Sequence, residues 1–105
     1  MDQTTVNQVI KKFRNALIAS GIRVNNIVLF GSQVTGKIHE GSDIDLIIVS
    51  SDFIGKDLFE RCSMTLTAEM ETRKRFTVPM DILTMTPEEY QESLSGKFFK
   101  ARVVA

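Results

Sequence analysis

The sequence lacks most of the features that place a chain in a specialised class. It has one cysteine, Cys62, among its 105 residues. No disulfide can form within the chain, and such usage fits a reducing, cytoplasmic setting. It has one histidine, His39, which falls in a loop and is not near Cys62 in sequence. Neither sign of charge dominates: 13 Lys and Arg balance 13 Asp and Glu. Wholesale coating of nucleic acid is therefore not indicated. The start, Met1-Asp2-Gln3-Thr4-Thr5, has no basic region followed by an apolar run, so no signal peptide is expected. The longest apolar run, around Ile44 to Val49, is far too short to cross a bilayer. No repeat or low-complexity stretch is visible. What remains is an ordinary globular composition, 43% apolar and 25% charged, at a length that suits one domain over residues 1–105.

Helical spacing of Val6, Val9, Ile10, Phe13, Leu17 and Ile18 predicts a helix over Thr5 to Ser20, with Gly21 at its C-terminal stop. Ile27 to Phe30 reads as a buried strand, and Ser32 to Thr35 as the start of a short helix. Asp43 to Ser50 reads as a second, central strand, apolar on both faces. Ser51 to Lys56 is a loop containing Asp52. Asp57 caps a long helix to about Phe76, whose apolar stripe is Leu58, Phe59, Cys62, Leu66 and Met70, putting Cys62 in the core. Arg73-Lys74-Arg75 ends that helix and suits its dipole. Val78 to Thr84 reads as a third strand. Thr86-Pro87-Glu88-Glu89 starts a last helix to about Leu94. The tail from Lys97 to Ala105 reads as an extension of that helix, with Phe98, Phe99, Val103 and Val104 packing on this domain or a partner. The order predicts an α+β, two-layer fold: a small mixed sheet with helices packed against it.

The chemistry concentrates in one stretch. An apolar strand runs into Gly31-Ser32, ten residues follow, and a second strand opens with Asp43-Ile44-Asp45. Side chains alternate along a strand, so Asp43 and Asp45 share a face about 6.5 to 7 Å apart. Two carboxylates that close cost stability unless a cation sits between them, and Mg²⁺ takes such carboxylates together with substrate phosphates. Asp81, inside Val78-Pro79-Met80-Asp81-Ile82-Leu83, is a third acid in an apolar strand; the alternative is an edge-strand aspartate facing water, which Pro79 allows. Gly31 allows close backbone approach to a phosphate, and Ser32 offers a hydroxyl and an amide. Gly31, Ser32 and Ser42 are the nucleotide-binding candidates; Asp43, Asp45 and Asp81 are the catalytic and metal candidates.

Gly31-x4-Gly36-Lys37 imitates a P-loop, but Ile38 stands where a magnesium-binding Ser or Thr is required, and the chain continues into a strand rather than a helix.

With these residues in view, the sequence resembles the polymerase-beta-like nucleotidyltransferases over roughly Ile27 to Leu83. The Gly31-Ser32 turn, the ten-residue interval, Asp43-x-Asp45 and the later Asp81 carry the resemblance. The short length resembles the minimal nucleotidyltransferases that act as antitoxins to helical HEPN-domain toxins. The resemblance implies the nucleotidyltransferase fold and two Mg²⁺ ions held by Asp43, Asp45 and Asp81. It also implies phosphates gripped at Gly31 and Ser32, and transfer of AMP from ATP to a hydroxyl. Many minimal members carry an arginine where this chain has Thr35; Lys37 is the candidate substitute. A chain this short has no room for an acceptor domain, so a HEPN-type toxin or a second copy is the expected partner. The alternatives are a binding module that neutralises a partner by contact alone, and transfer to a small molecule such as an aminoglycoside.

Overall fold

The computed structural model describes residues 3–30, 44–93 and 102–105. Helix α1 spans Gln3–Ala19, strand β1 Asn26–Phe30 and strand β2 Ile44–Val49. A single 3-10 turn, Ser51–Phe53, leads to helix α2, Leu58–Arg75. Strand β3 is Met80–Met85, helix α3 is Pro87–Ser93 and strand β4 is Arg102–Val103. The sheet order is β3-β2-β1-β4. β1 runs antiparallel to β2 and β4, whereas β2 and β3 are parallel, joined by the α2 crossover. This is the α+β arrangement, with a mixed sheet.

One face of the sheet carries α1 and α2. Val6, Val9, Ile10, Phe13 and Leu17 of α1 are buried against Ile27, Leu29, Ile44, Leu46 and Ile48, so the helical period of the sequence does face the core. Ile18, from the same apolar set, is 47% exposed. Gly21 closes the helix in the left-handed region, with φ 86°, where a side chain would be strained. The Ile22 amide there donates back to the Leu17 carbonyl at 3.1 Å, as in a Schellman stop. The other face holds a smaller cluster: Val28, Ile47, Val49 and Tyr90, with Phe30, Leu83 and Met85 packed around them. β2 is buried on both faces and is central.

Helix α2 departs from expectation. Its start is as read: Asp57 accepts from the Glu60 amide at 2.8 Å, and Glu60 accepts from the Asp57 amide at 3.4 Å, a capping box. Yet the residues it buries are Thr65, Ala68 and Thr72. The apolar stripe points outward: Leu58, Phe59, Leu66 and Met70 are exposed, and so is Cys62. Cys62 is therefore not a core residue. Small side chains let α2 pack against its neighbours, chiefly α1, and the buried hydroxyls are satisfied within the helix. Thr72 donates to the Ala68 carbonyl at 2.8 Å and Thr65 to the Arg61 carbonyl at 3.2 Å.

Two further boundaries differ. β3 begins at Met80 rather than Val78 because Pro79 has no N–H to donate to a ladder; the Pro79 carbonyl still accepts from the Ile44 amide at 2.9 Å. The tail does not continue a helix at its end: Arg102–Val103 adds a strand beside β1, and the Val104 amide donates to the Ile27 carbonyl at 2.9 Å. Val104 packs on the main core, while Val103 is exposed. The helix start at Ser32 to Thr35, Gly36, Lys37, His39, Leu94, Phe98 and Phe99 lie outside the described residues.

Candidate functional site

The ladder registers place Phe30, Asp45 and Asp81 in one row across β1, β2 and β3. Paired residues on adjacent strands project to the same face, so Asp45 and Asp81 lie together on the face away from α1 and α2. Neighbouring strands are about 4.8 Å apart, which makes the two carboxylates neighbours although all of α2 separates them in sequence. The row lies at the N-terminal ends of β2 and β3 and at the C-terminal end of β1. The chain leaves this end at Phe30 and returns at Ile44. Gly31, Ser32, Ser42 and Asp43 fall between those two residues and lie outside the described residues.

Within β2, Asp45 is the one residue that is not buried, while Ile44 and Leu46 on either side of it are fully buried. The strand's flanks thus fix the backbone of a half-exposed acid. Asp81 is exposed on the edge strand. All side-chain donors in the row are carboxylate oxygens, the donor type that suits a hard divalent cation rather than zinc or copper. Asp45 and Asp81 would hold such an ion, which would also take substrate phosphate oxygens. The residues present therefore fit a magnesium-type ion. Among the described residues no group of three potential ligands occurs; the third acid of the sequence motif, Asp43, is not one of them.

The position of β3 depends on α2. The Pro79 and Met85 carbonyls accept from the amides of Ile44 in β2 and of Ser50 just after it, so alternation turns the Met80, Ile82 and Thr84 carbonyls outward, to the other side of the strand. Two α2 arginines meet them. Arg73 Nη2 donates to the Met80 carbonyl at 2.8 Å and to Glu69 at 3.0 Å. Arg61 Nη1 reaches the Thr84 carbonyl at 3.4 Å and Glu89 Oε1 at 2.7 Å, and its Nε donates to the Lys56 carbonyl at 2.9 Å. Arg73 thus anchors the residue immediately before Asp81. Sequence reading assigned Arg73 to the helix dipole, and no spacing pattern reveals a bond between a side chain and a distant backbone carbonyl.

The opposite end of the strands has a different character. A groove of about 530 Å³ there is lined by Ile54, Arg61, Glu88, Glu89 and Glu92, among others. Hydrogen bonding from Arg61, followed by the Thr86 amide, holds the Glu89 carboxyl below its ordinary 4.5. That acid-rich groove would repel a triphosphate, and it lies far from the carboxylate row.

Residues 10–104 match the nucleotidyltransferase domain family, and the chain belongs to that family. No curated protein matches it. Among solved structures, a protein assigned as a nucleotidyltransferase from Sulfolobus solfataricus shares the fold with a TM-score of 0.68 at 19% identity, covering 86% of this chain and 75% of that one. A toxin-antitoxin structure with AMP-PNP matches with a TM-score of 0.52 at 23% identity, covering 70% of this chain and 55% of that one. This chain therefore spans about half the length of that relative. BolA1 from Arabidopsis thaliana matches with a TM-score of 0.53 at 19% identity, covering 75% of this chain and 92% of that one. At such identities the likenesses establish the fold; the family assignment rests on the sequence match. Among the described residues, no helix is long and apolar enough to cross a membrane.

Proposed function

We propose that this chain is a magnesium-dependent nucleotidyltransferase that moves AMP from ATP to a hydroxyl on a partner protein, a helical toxin of the HEPN type, and so acts as its antitoxin. The observation that carries the reading is the pairing of Asp45 with Asp81 on adjacent parallel strands in a chain of the nucleotidyltransferase domain family. The toxin-antitoxin relative supports a protein acceptor.

In this reading Asp43, Asp45 and Asp81 hold the metal, and Gly31, Ser32 and Ser42 bind the nucleotide. The bound ions would supply charge neutralisation for the triphosphate and its leaving group. Asp81, exposed at the sheet edge, takes the proton of the attacking hydroxyl. The hydroxyl oxygen bonds to the α-phosphorus, the bond from that phosphorus to the bridging oxygen breaks, and pyrophosphate leaves with the electron pair. Asp45, set in an otherwise buried strand, would hold the metal at a position fixed by its flanks.

The test is transfer of label from α-labelled ATP, in the presence of Mg²⁺, to the protein encoded beside this chain. Label on that partner is expected, falling at least about 100-fold in Asp45→Asn, because a neutral amide would weaken the hold on the cation that neutralises the developing charge. Labelling that persists unchanged in Asp45→Asn and Asp81→Asn would sink the catalytic reading. Neutralisation of the partner by both variants, without any label transfer by the wild type, would indicate action by contact.

A further inference from the structure

Strand β3 is at the edge of the described sheet, and its outer side is only partly used. The backbone groups of Asp81, Leu83 and Met85 serve the ladder with β2, so those of Met80, Ile82 and Thr84 point away from the sheet. Arg73 takes the Met80 carbonyl at 2.8 Å, and Arg61 takes the Thr84 carbonyl at 3.4 Å. Between those two clamps, among the described residues, the N–H and the C=O of Ile82 have no partner. A groove of about 250 Å³ runs along this stretch. Cys62, Leu66 and Glu69 of α2 form one wall, and Asp81, Ile82 and Thr84 of β3 form the other. Asp81 projects to the opposite face of the sheet, yet it borders the groove because β3 is an edge strand.

An open donor and acceptor on one edge-strand residue match the backbone of an extended chain. The shortness of the opening limits which chain. A second copy cannot zip its own β3 along this edge, because the Met80 and Thr84 carbonyls of both copies are already taken. A short segment bonded at Ile82 alone does fit. Ile82 turns its side chain toward the α1 and α2 face, so the residue paired with it faces the exposed Cys62 and Leu66. That position calls for an apolar side chain. The adjacent residue of the segment points the other way, opposite Asp81, where paired residues hold their Cβ atoms about 5 Å apart. The arginines at the two ends are matched by Glu89 and Glu69, so the groove asks for no charged segment. Among the described residues this leaves Asp81 as the acid of the groove with no ion pair. The row of Phe30, Asp45 and Asp81 then gains a further member, a side chain of the incoming segment.

We propose that the outer edge of β3, beside α2, receives an extended segment of the partner protein, in which an apolar residue paired with Ile82 adjoins the Ser, Thr or Tyr that accepts the nucleotidyl group. This rests on the transfer reading, with Asp81 meeting the attacking hydroxyl, and adds how the acceptor is held. Backbone bonds at Ile82 supply affinity, and the two alternating side chains select the segment.

The probe is a set of overlapping decapeptides covering the protein encoded beside this chain. Fluorescence anisotropy should find a peptide, with an apolar residue next to a hydroxyl one, that binds in the micromolar range. At a peptide concentration of roughly ten times its Kd, hydrogen exchange at the Ile82 amide should slow about tenfold. The Leu83 amide, already bonded to β2, should change little. Ile82→Pro removes the outward N–H and spares the ladder, a substitution an edge strand tolerates. Leu66→Arg crowds the groove from an exposed helix position. Each should weaken peptide binding about tenfold or more, with circular dichroism confirming the fold. Both should raise KM for the whole partner more than they lower kcat. Three results would overturn the proposal while transfer stands: no peptide binds, a peptide binds without protecting Ile82, or both variants label the partner as well as wild type. Protection of Ile82 without any label transfer by the wild type would overturn the transfer reading and the acceptor role with it, leaving a peptide-docking edge.

Discussion

Helices α1 and α2 lie side by side on the same face of the sheet, yet they turn their apolar residues in opposite directions. In α1 the periodic residues Val6, Val9, Ile10, Phe13 and Leu17 are the buried ones. In α2 the buried residues are Thr65, Ala68 and Thr72, and Phe59, Leu66 and Met70 face out. The two helices have different tasks. α1 fills the core and needs bulk. α2 packs chiefly against α1 and sends Arg61 and Arg73 to the backbone carbonyls of β3. Small side chains suit that helix contact, and threonine tolerates burial where its hydroxyl bonds back to its own helix. Helical period shows that a helix is amphipathic; it does not say which face the rest of the molecule takes.

The comparison can be broken most directly with one pair of variants. Phe13→Ala should cost about 3–5 kcal/mol, the usual range for deleting a fully buried phenylalanine. In dilute protein Phe59→Ala should stay within about 0.5 kcal/mol. Urea denaturation of both decides the matter, and equal losses would mean that α2 is buried like α1. Next in size is Arg61→Met. It removes the hydrogen bonds to Glu89, Thr84 and Lys56 from a side chain only 12% exposed, at a cost of about 2 kcal/mol. The same melts would measure it, and a neutral result would mean the clamp on β3 contributes nothing. Smaller again is Asp57→Ala, which deletes the α2 cap and should cost about 1 kcal/mol, readable as a lower thermal midpoint with the fold unchanged.

The smallest effect is in pH. Glu89 titrates below its ordinary 4.5 in the folded chain because Arg61 and the Thr86 amide favour its charged form. Its contribution is present above the unfolded value and is lost as pH falls from about 4.5 through the lowered one. Stability measured across that acid window should therefore fall more steeply for wild type than for Arg61→Met. Parallel curves would remove Glu89 from the account.

Much of the architecture was legible because local chemistry announced it. Gly21, Asp57 and Thr86 marked helix boundaries, and Thr86 does cap α3, accepting from the Glu89 amide at 3.1 Å. Central β2 was legible as an apolar run. The outward face of α2 was not, since an apolar stripe on a two-layer protein points to the sheet by default. Nor was the strand at Arg102–Val103, whose only signal was apolar residues in a short tail; pairing with the β1 edge is a tertiary decision. For the site, Asp45 and Asp81 stood out as acids within apolar strands. Their alignment needs the parallel register of β2 and β3, which depends on the length and packing of the intervening helix, and no spacing rule supplies that. Arg73 escaped notice because its partner is a backbone carbonyl.

The parallel pairing of β2 with β3 also bears on when this molecule becomes competent. Antiparallel β1 and β2 face each other across a connection of 13 residues, 31–43, whereas Asp81 meets Asp45 only after α2 has brought the chain back along the sheet. Contacts so distant in sequence form late, because loop closure must be paid for before they reward it. Edge strands in turn belong to the parts of a fold that open at least cost. The row of acids is therefore a late product of folding and an early casualty of partial opening. A nascent or locally unzipped chain would keep its α1 core while lacking Asp81 from the row.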